Sequence, residues 1–141
     1  MTQFDGSDYL TAIESVLTTA GLHVGDGVAP KSSDGSLVTP CAVMYLQPST
    51  RMGDCIASHG EDARITFRIV SADRTGRGAA RYDWRVREAL DSIELDVDGR
   101  TSYRIRWENS SATERDDDVT PPCFYVSTLF SLLSMSTAAA S

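Results

Sequence analysis

What most constrains this chain is the order of its periodic segments: helix, long loop, two strands, helix, two strands. Over residues 8–20, Tyr9, Leu10, Ile13, Val16, Leu17 and Ala20 recur at three- and four-residue spacing, which predicts one apolar helix stripe. Thr11, Glu14, Ser15 and Thr18 fill the opposite face; Ser7 or Asp5 is placed to cap the start and Gly21 to stop the end. A second stripe of Tyr82, Val86, Ala89, Leu90 and Ile93 predicts a helix over 79–92, entered through a glycine-bearing turn over 73–78.

Strands follow each helix. Residues 41–47 are apolar on both faces, as a covered central strand would be. Residues 62–71 alternate, with Ala63, Ile65, Phe67 and Ile69 against Arg64, Thr66 and Arg68. After a tight turn at Asp98-Gly99, residues 101–108 alternate again, with Thr101, Tyr103, Ile105 and Trp107 against Ser102, Arg104 and Arg106. Residues 123–135 form a last, long strand with Phe124, Val126, Thr128, Phe130 and Leu132 on one face.

The pattern predicts an α+β fold: a four-stranded, largely antiparallel sheet with both helices packed on one face. Residues 1–135 form one domain, and 136–141 a flexible C-terminal tail of Ala, Ser and Thr. The expected core sets Ile65, Phe67, Ile69, Tyr103, Ile105, Phe124 and Val126 against Ile13, Leu17, Val86 and Leu90. Arg64, Arg68, Arg104 and Arg106 then share the far face of the sheet.

Three stretches read as loops: 22–39, rich in glycine and holding a Ser-Ser-Asp-Gly-Ser patch; 48–60, with Arg51, Asp54, Cys55 and His59; and 109–122, with Glu114, Arg115 and the run Asp116, Asp117, Asp118. Loops of this length in a compact domain are often used for binding. Residues 31–36, 110–118 and 136–141 have few apolar anchors and are expected to be loose in the free chain.

Composition narrows the function classes. With 41% hydrophobic and 23% charged residues, 141 residues suffice for a core without metals or disulfides. The net charge of −7 argues against general affinity for nucleic acid. Lys31 is the only lysine, so nearly all positive charge is arginine, from coding bias or because arginine forks suit interfaces. Cys41, Cys55 and Cys123 are an odd set without a CxxC pair, and with only His23 and His59 they do not make a zinc pattern. Cys41 and Cys123 open strands as small buried thiols would, which fits a reducing compartment. Residues 1–6 are polar and acidic, unlike a signal peptide. No apolar run approaches the ~18 residues of a membrane span.

No catalytic constellation is visible. There is no G-x-S-x-G, no phosphate-binding G-x-x-x-x-G-K-[ST] and no EF-hand glycine after the acidic run. The run reads as a solvated loop, with a divalent-ion site as the alternative. The arginine row has three readings: a solvated face, a protein interface, or a phosphate-reading surface without the aromatics that single strands require. Neither catalytic residues nor a cofactor is expected. The enzymatic alternative is a hydrolase or metal site around Asp54, Cys55 and His59.

Several segments together resemble the tail terminator (tail completion) proteins of long-tailed bacteriophages. They are the YLTAIESVLTTAGL helix, the VGDGVAP turn, TPCAVMYL, ARITFRIVSADR, the AARYDWRVREALDSI helix and FYVSTLFSLLS. The likeness runs over residues 9–134 and rests on element order; the 48–60 and 109–122 loops match no motif of that family. It implies a structural protein of the virion neck, assembled in the host cytoplasm. Such proteins form a homo-hexameric ring that caps the tail tube and joins it to the head-side connector. DNA passes through without specific binding, and no membrane is involved. Arg51, Arg64, Arg68, Arg104 and Arg106, with Asp116, Asp117 and Asp118, are then the expected protein-interface residues. The alternatives are another head–tail joining protein of the same region, or a small nucleic-acid-binding module using the arginine face.

Overall fold

The computed structural model describes residues 6–47, 50–51, 63–119 and 121–136. Helix α1 spans Ser7–Thr19 and α2 spans Gly76–Leu90. The strands are β1 (Val24–Asp26), β2 (Cys41–Leu46), β3 (Thr50–Arg51), β4 (Ala63–Asp73), β5 (Arg100–Ser102), β6 (Arg106–Ser110), β7 (Glu114–Asp116) and β8 (Cys123–Ser136). They form one mixed sheet in the order β1-β2-β4-β8-β5, with β3 on β4 and both β6 and β7 on β8.

The α+β class and the antiparallel β2–β4 pairing are as expected; the strand count is not. Three causes account for the difference, the smallest being β3, which lies in the stretch predicted as the 48–60 loop and pairs antiparallel with β4. The 22–39 stretch contains β1, which pairs parallel to β2 through Val24, Gly25 and Asp26. The strand predicted over 101–108, together with the polar stretch after it, runs antiparallel along one edge of β8 in three pieces: β5, β6 and β7. The break between β5 and β6 has a hydrogen-bonding cause. The Ile105 N–H donates to the Ile93 carbonyl and the Ser92 N–H to that of Ile105, both at 2.9 Å, so the chain leaves β8 to pair with the segment after α2. Ile105 is thereby buried, whereas Tyr103 is half exposed and not in the core as predicted.

Both helices cover one sheet face. Tyr9, Ile13 and Leu17 of α1 and Tyr82, Val86 and Leu90 of α2 meet Met44, Ile65, Phe67, Ile69, Phe130 and Leu132. Phe67 and Phe130 are cross-strand partners, and their rings stack 5.3 Å apart under the helices. Phe124, assigned to the core from sequence, is only half-buried. Tyr9 also ties α1 to the sheet by a polar contact, its hydroxyl lying 2.7 Å from Ser102 Oγ and 2.5 Å from Ser134 Oγ.

The helix ends differ from expectation. Gly6, in the left-handed region at φ 82°, caps α1 without a side-chain bond, in place of Ser7; Asp5 lies outside the described residues. Helix α2 starts three residues early because Thr75 Oγ1 accepts from the Gly78 N–H at 2.9 Å. Gly78 suits this turn, since a Cβ there would stand 2.1 Å from Asp73 Oδ2. Ile93, placed on the buried stripe of α2, lies beyond its end and is exposed.

Candidate interaction surfaces

Among the described residues, no helix lies on the other sheet face, and Arg64, Arg68 and Tyr45 are exposed there. Cross-strand pairing places Tyr45 beside Arg68, Arg68 beside Leu129, and Arg64 beside Leu133. Arg106 pairs with Ser131, itself opposite Thr66. Directly paired residues point to one side of a sheet, so Arg64, Arg68 and Arg106 share this face as predicted. Arg104 does not: it sits in the break between β5 and β6 and lies 3.8 Å from Glu94, with both side chains exposed. Arg51 is placed only by its backbone, opposite Ala63.

The arginines are not a uniform positive field. Tyr45, Leu133 and Met135 are exposed among or beside them, Arg68 Nη1 donates to Ser127 Oγ, and Glu108 accepts from Ser131 Oγ at 2.5 Å. The far end of the face is acidic. There Glu114 accepts from the Tyr125 hydroxyl at 2.6 Å, raising the phenol pKa through that bond and its charge. Asp116, Asp117 and Asp118 line a shallow hollow of about 520 Å³ with Val70, Arg115 and Tyr125. Part of this run is ordered by its own contacts: Arg115 Nε donates to Asp117 at 2.6 Å, and Asp116 accepts from the Asp118 N–H at 2.9 Å.

A second surface lies on α2, where a groove of about 450 Å³ is lined by Trp84, Arg87, Glu88, Asp91 and Trp107. Trp84 is 54% and Trp107 46% exposed, and the Arg87 guanidinium lies over both rings, 4.9 and 5.2 Å from their centroids. Trp107 is on the helix side of the sheet, as its alternation predicted, but is only partly covered.

A line of donors holds this groove. Trp107 Nε1 donates to Ser110 Oγ at 3.0 Å, Ser110 Oγ lies 2.7 Å from Thr128 Oγ1, and Thr128 Oγ1 donates to Asp83 Oδ1. With the Thr128 proton directed at Asp83, Ser110 donates to Thr128. Arg87 Nε completes the set, 3.1 Å from Asp83 Oδ2 but off the line of its N–H, a charge contact more than a directed bond. Burial pushes the Asp83 carboxyl pKa up, against the Thr128 bond and the Arg87 charge. Sequence reasoning passed over Asp83, Trp84 and Arg87. The signal was a carboxylate at the buried i+3/i+4 spacing of α2, with an arginine four residues on.

Among the described residues, no three His, Cys, Asp or Glu side chains are gathered to hold a metal ion; Asp54, Cys55 and His59 lie outside them. No helix among them is long and apolar enough to cross a membrane. The sequence matches no family model and no curated protein. The fold is similar to that of a chain in the solved structure described as "Virion of native gene transfer agent (GTA) particle". The two are 15% identical, with a TM-score of 0.61 over 89% of this chain and 93% of that one.

Proposed function

We propose that this chain is a structural virion protein of a phage-like particle and, within it, the tail terminator. Copies form a six-membered ring that caps the tail tube and docks it to the head-side connector. The observation that carries the reading is the fold likeness to a virion chain, which extends over nearly the full length of both. Exposed arginines and apolar side chains on a rigid sheet agree with a contact surface for the tube or connector, since arginine is enriched in interfaces. The acidic groups beside those arginines and the net charge of −7 fit a ring through which DNA slides without sticking.

The test is to locate the chain in particles with a gold-labelled antibody and to make particles without it. Label at the head–tail junction, and unjoined heads and tails when the chain is missing, are expected. Label on the capsid shell, or normally joined particles without the chain, overturns the reading. Arg68→Glu should weaken joining and leave the far-ultraviolet spectrum unchanged; normal joining removes the open face from the contact.

A further inference from the structure

Helix α2 carries its charges against its own dipole. A helix N-terminus favours acids and a C-terminus bases. Here the first turn has no acid, Arg77, Arg81 and Arg85 lie exposed at four-residue steps from the start, and Glu88 and Asp91 stand at the end; the one base of the last turn, Arg87, faces Asp83. Arg77 and Arg81 have no ion-pair or hydrogen-bond partner among the described residues. The exposed Trp84 ring lies beside this stripe. Arg85 lies over the Tyr82 ring and Glu88 accepts from Trp84 Nε1, which leaves Arg77 and Arg81 as the charges available to an outside partner.

The same chain exposes a match. Glu114, Asp117 and Asp118 are exposed on and after β7, with Asp116 half-buried between them. Arg77 to Arg85 spans about 12 Å of helix at 1.5 Å per residue. Residues 114 to 116 are extended in β7, and the chain then turns over 116–118, gathering Asp116, Asp117 and Asp118 at its end. The start of α2 lies beside Thr113 and Phe124, yet no ion pair joins Arg77 or Arg81 to the acidic run in the same molecule among the described residues. We infer that the Arg77–Arg81–Arg85 face of α2, with Trp84, docks the acidic 114–118 segment of a second copy of this chain. The contact joins two different surfaces, so it can repeat head to tail. It deepens the ring reading by naming the subunit contact, and it depends on self-association, not on where the ring sits.

Phosphate is the rival occupant of an arginine stripe, but the chain's net charge of −7 opposes the approach of DNA. A second copy supplies acids of the opposite charge.

The experiment uses the full chain, with sedimentation velocity and light scattering over a concentration series at low and high salt. Wild type should self-associate, more weakly at high salt. Arg77→Glu with Arg81→Glu should weaken association about tenfold or more, and Asp117→Arg with Asp118→Arg should do the same, because each alone faces like charge with like. An equimolar mixture of the two variants should recover wild-type association, since each reversed surface then meets its complement. Circular dichroism checks that both fold. A wild-type chain that stays monomeric at millimolar concentration and low salt overturns the inference. So do variants that associate like wild type, a mixture that does not recover, or wild-type retention on DNA that Arg81→Glu abolishes. A monomer whose label still sits at the head–tail junction would overturn this contact alone and leave the virion role standing.

Discussion

The two helices cover the same sheet face but are built to different ends. In α1, Tyr9, Ile13 and Leu17 are buried, Asp8 sits in the first turn where the dipole favours it, and the outer face is Thr11, Glu14, Ser15 and Thr18. In α2, the buried stripe includes a carboxylate, and the outer face carries arginines and a tryptophan. The first pattern is what covering a sheet requires. The second adds features that covering a sheet does not require: exposed aromatic area, adverse charge placement at its start and a buried acid. The part of a small domain that departs from simple coverage is where contacts with other molecules are to be sought.

The comparison can be broken at its shared floor. Phe67 is fully buried, stacks on Phe130 and lies under both helices, so Phe67→Ala should cost about 3–5 kcal/mol in urea denaturation. A cost below 1 kcal/mol would mean that the helices do not rest on this pair.

Next come the two polar anchors. Asp83→Ala removes the acceptor of Thr128 and the counter-charge of Arg87 and should cost about 1–3 kcal/mol. Tyr9→Phe should cost about 0.5–1.5 kcal/mol through the Ser102 and Ser134 contacts. If the Asp83→Ala cost is the same at every pH, the reading of Asp83 as an ionisable anchor fails. The expected difference has a sign. The folded-state pKa of Asp83 lies above its unfolded value, because burial disfavours the charge. The folded chain therefore binds the Asp83 proton more tightly, and this group's contribution to stability falls as pH rises from the ordinary carboxylate range through the raised value. Subtracting the Asp83→Asn stability curve from wild type should isolate that fall.

The smallest effect is the sharpest for α2. Arg77→Glu replaces an unpaired base in the first helical turn with an acid and should stabilise the isolated fold by about 0.3–1 kcal/mol in thermal melts at low salt. A loss of stability would show that Arg77 has a use within its own chain.

Much of this was legible in the sequence. The α1 stripe, the β4 alternation and the long face of β8 all follow from periodicity, because each buries one regular side against the others. Arg64, Arg68 and Arg106 followed from the same alternation. The failures have non-local causes. Tyr103 and Arg104 lost their predicted sides because Ile105 pairs with Ile93, a bond across the turn that no local alternation contains. Strand β7 looked like a polar loop because its residues are mostly exposed and only β8 gives it partners. Two glycines hid the first turn of α2, which the Thr75 cap secures. The groove of Trp84 and Trp107 joins residues 23 apart in sequence through a buried acid, and only the packing of α2 on β8 brings them together.

The place of β8 in the sheet has a consequence for how the chain is made. It pairs with β4 over 11 positions on one edge and with β5, β6 and β7 on the other. An interior strand of the sheet is therefore the last one synthesised among the described elements. Until residues 123–136 emerge from the ribosome, β4 has an open edge and Phe67 lacks Phe130. Open edges and bare apolar faces invite pairing with other chains. Stalled or truncated products should thus be recognisable to chaperones and proteases.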